Sequence, residues 1–352
     1  MMNEQIQFPS EELTPQDLRI IDKAEDLVYE KRTRNFFSVS ELNTFLVCPV
    51  KHRIKYEYGI KLEDTSKSLV FGDLLHKSIA QYYKSMWKVK TPNLNILLTT
   101  FEEETAKSEE LLDRLMDSDK AKQSFKMNGL SCLNAFHKKV RSSKTTPLEY
   151  IVEGSTSRIP SVELELKVPI INIFSEEKEK ITDLYMLSYI DLIARSGNEI
   201  TIWDHKTTQR EWSKFKIKTD IQLPAYAYAF RYELMNGRFE SKNLFYQEDS
   251  CGYHFILKTK EPKIKIVTSS VEDWRIKLFY ELVKQFTKAK EQGICYPTFN
   301  YEYYKGCNTC PFHIPNGEEF FNEKRSLCHC YLKGANRDDL YQVAEHIKQS
   351  NG

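Results

Sequence analysis

The chain has 352 residues, 41% of them hydrophobic, so it can form one large domain or two of ordinary size. Its net charge of +1 excludes a globally basic surface, so contact with nucleic acid must depend on local patches. No apolar run approaches the roughly 18 residues of a transmembrane helix, and the polar, acidic N-terminus resembles no signal peptide. We therefore expect no membrane association and a cytoplasmic protein, in the host cytoplasm if the chain is viral.

The first half of the chain is predicted to be helical. A capping-box pattern at Ser38–Glu41 starts a helix that ends at Cys48-Pro49. Phe71–Trp87 is amphipathic and carries His76. From Leu94 to Arg141 the sequence stays helical and highly charged, which indicates a helical insertion or a lid.

The second half begins with strand signals. Val162–Phe174 alternates apolar and polar residues, and a hairpin follows it. Ile221–Met235 is predicted to be a helix, and Leu244–Leu257 and Lys263–Val267 to be strands. Ser269–Glu272 is predicted to cap a helix that runs to Gln292, after which the chain reads as irregular. The predicted organisation is an N-terminal arm (1–35), a helical part (36–90), a helical insertion (91–148), an α/β core (149–295) and a cysteine-rich C-terminal segment (296–352).

The most informative stretch is LSYIDLIARSGNEITIWDHKTT, from Leu187 to Thr208. Gly197-Asn198 suits a two-residue hairpin loop, so paired residues would have numbers that sum to 395. Asp191 and Asp204 would then lie directly opposite each other, with Lys206 on the same face as Asp204. Because the hairpin is apolar on both faces, unpaired charge there is expensive. A divalent cation between the aspartates would relieve the repulsion, while an ordinary salt bridge or a shifted register is the alternative interpretation.

The order of motifs along the chain resembles the RecB/AddB-like nucleases of the PD-(D/E)XK superfamily. The resemblance rests on SVSELNTFLVCPVKHRIKYEY, FGDLLHKSIAQYY, VELEL, the hairpin and QLPAYAYAF. It implies an α/β, restriction-endonuclease-like fold: a mixed central sheet flanked by helices, with a helical insertion and a cysteine-bearing C-terminal segment. It also implies DNA hydrolysis with Mg²⁺ or Mn²⁺. Ser188 departs from the family's usual glycine before x-x-Asp.

Matching this family's motifs assigns roles to six residues. His76, Asp191 and Asp204 would bind the metal, and Lys206 would act on the attacking water or the transition state. The catalytic set implied by the resemblance is Asp191, Asp204, Lys206, Gln222 and Tyr226. Glu163 and Glu165 share a strand face; they are expected to be solvated, although either could reach the metal through water.

Cysteines are concentrated near the C-terminus, and the resemblance implies a [4Fe–4S] cluster. Its ligands would be Cys48, Cys307, Cys310 and Cys328, although Cys330 competes for the fourth place. The long gap between Cys310 and Cys328 departs from the family's usual spacing. The alternatives are zinc held by Cys307, Cys310, Cys328 and either Cys330 or His329, or no metal at all. The remaining cysteines are expected to be ordinary packing residues: Cys132, Cys251 and Cys295.

The sequence therefore predicts a metal-dependent deoxyribonuclease, an exonuclease of DNA recombination, repair or phage DNA processing. The alternative is a non-catalytic DNA-binding or assembly module that keeps the fold. No G-x-x-x-x-G-K-[ST] occurs, so a helicase or recombination protein would be a separate partner. Lys214, Lys216 and Lys218 alternate in KFKIK and are interpreted as a basic stripe beside the hairpin, suited to phosphate contact.

Overall fold

The computed structural model describes residues 34–60, 66–89, 91, 93–143, 145–197, 199–239, 250–296, 310, 312, 327–332, 334 and 336–350; side chains 329, 330, 332 and 346–350 lie outside this description. The chain divides into two compact units. The larger comprises Arg34–Asn43 and Asp64–Ile294, and the described parts of Thr44–Glu63 and Cys295–Gly352 belong to the smaller. None of the described helices has the length and apolar character needed to cross a membrane.

Within the described residues, the larger unit contains one mixed sheet of seven strands. Its members are β1 (Phe36–Ser38), β2 (Thr146–Pro147), β5 (Val162–Ile171), β6 (Lys180–Ser196), β7 (Glu199–Thr208), β8 (Ser250–Leu257) and β9 (Lys263–Ser270). The order is β1-β6-β7-β8-β9, with β2 and β5 also paired to β6. Two short strands, β3 (Glu149–Ile151) and β4 (Arg158–Pro160), pair separately. This is the predicted α/β fold with a mixed central sheet flanked by helices.

The central hairpin forms in the predicted register. Leu192 pairs with Trp203 and Ser196 with Glu199, so the residue numbers sum to 395 along the ladder. Gly197 has φ of +62°, a left-handed conformation that glycine adopts without strain, at the first position of the loop. Ile193 and Ile202 are buried on one face and Ile190 and Leu192 on the other, because the sheet is covered on both sides.

Helices surround this sheet in the chain order that the periodicity predicts. They are α1 (Val39–Val47), α3 (Lys67–Val89), α4 (Leu94–Lys107), α5 (Glu109–Leu115), α6 (Asp119–Val140), α7 (Lys214–Thr219), α8 (Gln222–Met235) and α9 (Asp273–Glu291). Ser38 Oγ accepts the Glu41 N–H at 3.1 Å, as the capping box predicts. The main core joins α3 to the helical insertion through Leu74, Tyr83, Phe101 and Phe136.

Three local predictions were wrong. The lysine-rich KFKIK segment is the helix α7, because Ser213 accepts the Lys216 N–H at 3.1 Å and starts a turn. The cap of α9 is Glu272 and not Ser269, since β9 continues and pairs Ser270 with Ser250. The C-terminal segment, predicted to be irregular, contains two helices, α10 (Leu327–Leu332) and α11 (Arg337–Ser350).

The smaller unit has its own apolar core. It brings together α2 (Pro49–His52), the π-helical turn Arg53–Glu57, α10 and α11. The buried residues are Val50, Ile54, Ile60, Phe312, Leu327, Leu340 and Ala344. Arg53 Nη1 donates to the Tyr331 hydroxyl at 2.7 Å, which links the two sequence segments by a polar contact as well. The N-terminal Cys-Pro segment and the C-terminal helices therefore fold as one body.

Candidate active site

The site forms where β6 and β7 separate. Their ladder ends at Leu192 and Trp203, one pair before Asp191 and Asp204. The predicted direct pairing of the two aspartates is therefore not made, because Asp191 instead accepts a hydrogen bond from the His205 backbone N–H at 2.6 Å. Beyond the fork, β7 continues along β8 and pairs Asp204 with Tyr253. Asp191 thus lies just beyond the last β6–β7 pair, with its carboxylate on the backbone of β7.

Glu163 is the residue that the sequence reasoning left outside the site. It lies across from Asp191 on β5, between the pairs Val162–Leu192 and Leu164–Ile190, where the ladder is interrupted. Its φ is +51°, which is uncommon for a residue other than glycine and marks local strain. Glu163 and Glu165 share a face by alternation, but only Glu163 has this backbone distortion beside Asp191.

His76, Glu163 and Asp191 form a group with metal-ligand spacing. Each offers one ligand atom, and these atoms lie within 4.8 Å of one another. His76 comes from α3, and its Nδ1 lies 3.7 Å from Asp191 Oδ2. Two carboxylate oxygens and an imidazole nitrogen suit Mg²⁺ or Mn²⁺. His76 and Asp191 were predicted as ligands, whereas Asp204, the third predicted ligand, is not in this group.

Asp204 is instead held by the lysine two residues further along β7. Lys206 Nζ donates to Asp204 Oδ1 at 3.0 Å and lies 2.8 Å from Oδ2, although it directs no hydrogen bond to Oδ2. Lys206 also donates to Gln222 Oε1 at 2.9 Å. Gln222 Nε2 in turn donates to the Tyr226 hydroxyl at 2.6 Å. The predicted Gln222 and Tyr226 therefore continue the polar chain from Lys206 along α8.

Burial disfavours the charged forms of the three carboxylates at this site. It raises the pKa of Asp204 to about 7, an effect that Lys206 reduces and Asp191 reinforces. Burial also raises the pKa of Asp191, although His76 opposes the shift. Burial lowers the pKa of Lys206, but the carboxylates of Asp204, Asp191 and Asp220 together outweigh it, and the net shift is upward. The pKa of Glu163 is likewise raised by burial, with His76 lowering it in part.

A stack of rings supports the strand that carries Asp204 and Lys206. The side chain of His205 points to the opposite face of β7, where its ring lies parallel to Tyr83 at 6.2 Å and to His254 at 5.0 Å. His254 stacks on Trp203 at 4.2 Å. The two Nδ1 atoms of His205 and His254 lie 3.0 Å apart. His205, the middle residue of D-x-K, is thus buried. Its ring packing fixes the backbone N–H that donates to Asp191.

An open cleft of about 530 Å³ lies beside the metal-ligand group. Successive turns of α3 line it with Asp73, His76, Ala80 and Lys84, and α4 closes the other side. Glu163 also reaches this cleft. The predicted helical insertion or lid therefore contributes one wall of this cleft.

Four of the described cysteines belong to the smaller unit. Cys48, Cys295, Cys310 and Cys328 all pack against its core. Cys48 caps α2, and its Sγ accepts from the Lys51 N–H at 3.5 Å. Cys295 was predicted to be an ordinary packing residue; burial raises the pKa of its thiol, and nearby Cys48 adds a smaller electrostatic contribution to that rise. Cys307 and the side chains of His329 and Cys330 lie outside the described residues. Most ligands of the alternative zinc site are therefore not described.

A restriction-endonuclease-like α/β fold with acidic residues and a lysine at a strand fork defines a nuclease. A family model of the PD-(D/E)XK nuclease superfamily matches residues 36–314, and the chain belongs to that superfamily. It is also similar to the crystal structure of a candidate exonuclease from Eubacterium rectale, with 12% identity and a TM-score of 0.45 over 91% of this chain and 99% of that one. No curated protein matches the chain.

Proposed function

We propose that this protein is an Mg²⁺- or Mn²⁺-dependent DNA exonuclease of the RecB/AddB-like type, acting in recombination, repair or phage DNA processing. The observation that carries the proposal is the convergence of His76, Glu163 and Asp191 within 4.8 Å of one another. The Asp204–Lys206–Gln222 chain follows on the adjoining strand and helix. A purely DNA-binding module has no need of such a set.

The donor set fits a hard divalent cation. The oxygens of Asp191 and Glu163 and a ring nitrogen of His76 would hold it, whereas Asp204 lies outside this group and holds Lys206. The upward pKa shifts of both aspartates and Glu163 mean that their charges are poorly compensated within the protein. A bound cation would remove that penalty, polarise the phosphoryl oxygen and lower the pKa of its water.

The protein's own groups have distinct tasks in this proposal. Lys206 offsets charge on the phosphate in the transition state, where a fixed ammonium needs no reorganisation. Gln222 and Asp204 hold Lys206 from two sides, so its ammonium is oriented before the substrate arrives. His205 fixes Asp191 through its backbone N–H. Tyr226 keeps the Gln222 amide in the orientation that presents Oε1 to Lys206.

We further propose that Cys48, Cys307, Cys310 and Cys328 bind a [4Fe–4S] cluster. Support comes from the resemblance and from the packing of Cys48, Cys310 and Cys328 around one core. The cysteines come from sequence segments about 250 residues apart. A cluster that joins them would stabilise the smaller unit, because metal binding is coupled to folding.

The activity is tested with the purified full chain on end-labelled linear DNA and on circular DNA, single- and double-stranded, with Mg²⁺, Mn²⁺ or EDTA. We expect cleavage of linear DNA only, and only with metal. D191N, D204N and K206A should each reduce the rate at least about 100-fold while thermal unfolding stays cooperative. Full activity in any two of these variants would contradict the proposed site, and cleavage of circles would contradict exonuclease action.

His76 provides a separate test of the metal. H76A should reduce activity at low metal, and excess Mn²⁺ should restore part of it, because mass action compensates for a weakened ligand set. K206A removes no ligand, so Mn²⁺ should not restore its activity. If both variants respond equally to Mn²⁺, His76 is not a ligand.

A further inference from the structure

We infer that α7 is a binding surface for an unpaired nucleotide next to the catalytic lysine, with Phe215 as its stacking platform. The inference rests on the proposed nuclease function and specifies its substrate: a DNA strand whose bases are unpaired near the point of cleavage. Phe215 is 73% exposed, the highest value among the exposed large hydrophobic residues of the described chain. An exposed aromatic ring is available for a base to stack on.

The arrangement of α7 separates an anchored side from a free one. Ile217 is buried and fixes the helix to the larger unit. Lys214, Phe215 and Lys218 lie within about 100° of one another around the helix and are all exposed. The free side therefore presents an aromatic ring beside two ammonium groups, and the helix contains no acidic residue.

A contact chain joins α7 to the active site. Lys216 Nζ lies 3.8 Å from the ring centroid of Trp212, and Lys206 Nζ lies 5.8 Å from the same centroid. Trp212 packs in turn on Tyr253 and Phe255 of β8, at 5.3 and 5.7 Å between ring centroids. The loop between β7 and α7 is thus fixed by its tryptophan. These contacts connect α7, the helix that carries Phe215, to the surroundings of Lys206.

The chemistry of this surface favours a single strand over a protein partner. Lysines bind phosphates without regard to sequence, and an aromatic ring stacks on any base. Inside a duplex both faces of each base are already stacked, so Phe215 can stack only on a terminal base pair, a frayed end or a single strand, and the single strand offers the most free faces. An apolar protein partner would leave the flanking lysines without counter-charges.

Binding of fluorescein-labelled single-stranded oligonucleotides to the cleavage-deficient D204N protein tests the inference. Each oligonucleotide carries one abasic site, moved stepwise along the strand. We expect one position at which loss of the base weakens binding about 5- to 150-fold, as for a lost stacking contact. With D204N/F215A, intact DNA should bind with that weakened affinity, and the abasic site should have no further effect at this position.

Matched variants separate stacking from folding and from charge. W274A removes an aromatic residue that is 56% exposed on α9 and should leave binding unchanged. F215L keeps an apolar side chain and should bind between F215A and the parent. K214A and K218A should weaken all oligonucleotides equally and reduce the salt dependence, by about 0.7 in log–log slope per lysine.

Two results would overturn the inference. One is that binding depends on the position of the abasic site in the same way for D204N and for D204N/F215A. The other is a change of oligomeric state in F215A with unchanged DNA affinity, which would assign Phe215 to a protein interface. Cleavage by the wild type is measured in parallel. If the wild type cleaves DNA but F215A does not change how binding depends on the abasic position, only this inference is rejected. If the wild type cleaves none of the DNA substrates, the proposed function is rejected.

Discussion

Glu163 lies opposite Asp191 at a break in the β5–β6 ladder, with the backbone of Glu163 in the left-handed region. The break has a direct consequence for the site. In a regular strand, Glu163 would also pair with β6, as Val162 and Leu164 do on either side of it. The distortion instead accompanies a Glu163 carboxylate within ligand spacing of His76 and Asp191. Since a strained backbone persists only where its surroundings hold it, this geometry is built into the fold.

We therefore predict that E163Q weakens Mn²⁺ binding. Replacing partners in the outer shell of a metal site commonly reduces affinity or activity about 10- to 100-fold, so a direct ligand should cost at least as much. Isothermal titration with Mn²⁺ measures the affinity, and the nuclease rate at limiting metal follows it.

Glu165 supplies the matched control for this prediction. It lies two residues further along β5 on the same face, but it pairs with Tyr189 and is absent from the ligand group. E165Q should bind Mn²⁺ and cleave DNA like the wild type. If E163Q and E165Q behave alike, Glu163 is a solvated strand residue and not a ligand.

The hairpin could be predicted from the sequence because its determinants are local. A glycine at the first loop position fixes the loop length, and the period of two along each strand then fixes which residues oppose each other. Asp191 and Lys206 were placed at the site by this argument alone. The final step, the pairing of Asp191 with Asp204, depends on how far the strands stay together. It could not be predicted, since no local pattern shows that β6 leaves β7 after Trp203 while β7 continues along β8 on its other edge.

The remaining site features depend on contacts that are distant in sequence. Glu163 joins the ligand group through the pairing of β5 with β6 and through one unusual φ angle, and no pattern in VELEL indicates that angle. Cys295 joins Cys48 only because two segments fold into the smaller unit. The helix α7 was missed for a local reason, since its lysines alternate as in a strand while Ser213 starts a helical turn.

The hydrogen bonds of Gln222 predict which substitutions on α8 reduce activity most. Q222A removes the acceptor that fixes Lys206 Nζ and should reduce kcat about 10- to 100-fold, with less change in KM. Y226F removes only the acceptor for Gln222 Nε2 and should cost less. Q222E keeps an acceptor for the lysine and should retain more activity than Q222A. Steady-state kinetics on one DNA substrate measures all three, and a Y226F defect as large as that of Q222A would contradict the order.

Two helical glycines are predicted to respond oppositely to alanine. A Cβ on Gly129 would lie 2.0 Å from the buried ring of Phe101, whereas a Cβ on Gly72 would meet nothing within 4 Å. G129A should therefore destabilise the fold by about 1–3 kcal/mol through overpacking. G72A should stabilise it by up to about 1 kcal/mol through helix propensity. Urea unfolding measures both, and F101L should recover part of the G129A loss; equal effects of the two substitutions would contradict the packing at Gly129.

The cysteines of the smaller unit allow the proposed cluster to be tested without an activity assay. If Cys48, Cys307, Cys310 and Cys328 bind [4Fe–4S], protein purified without oxygen should be brown and contain about four irons per chain. C48S, C307S, C310S and C328S should each bleach it and lower the melting temperature, because the cluster stabilises the unit that it joins.

Two cysteine variants outside the proposed ligand set sharpen this prediction. Cys132 is buried in the core of the larger unit, so C132S should keep its iron. Cys295 packs against the same core as Cys48, and C295S decides whether that thiol is a ligand. If C295S is colourless while C328S keeps its full iron content, Cys295 and not Cys328 is the fourth ligand. Colourless protein with one zinc that C48S retains would instead assign the metal to C-terminal ligands alone, because such a site needs no thiol from the N-terminal segment.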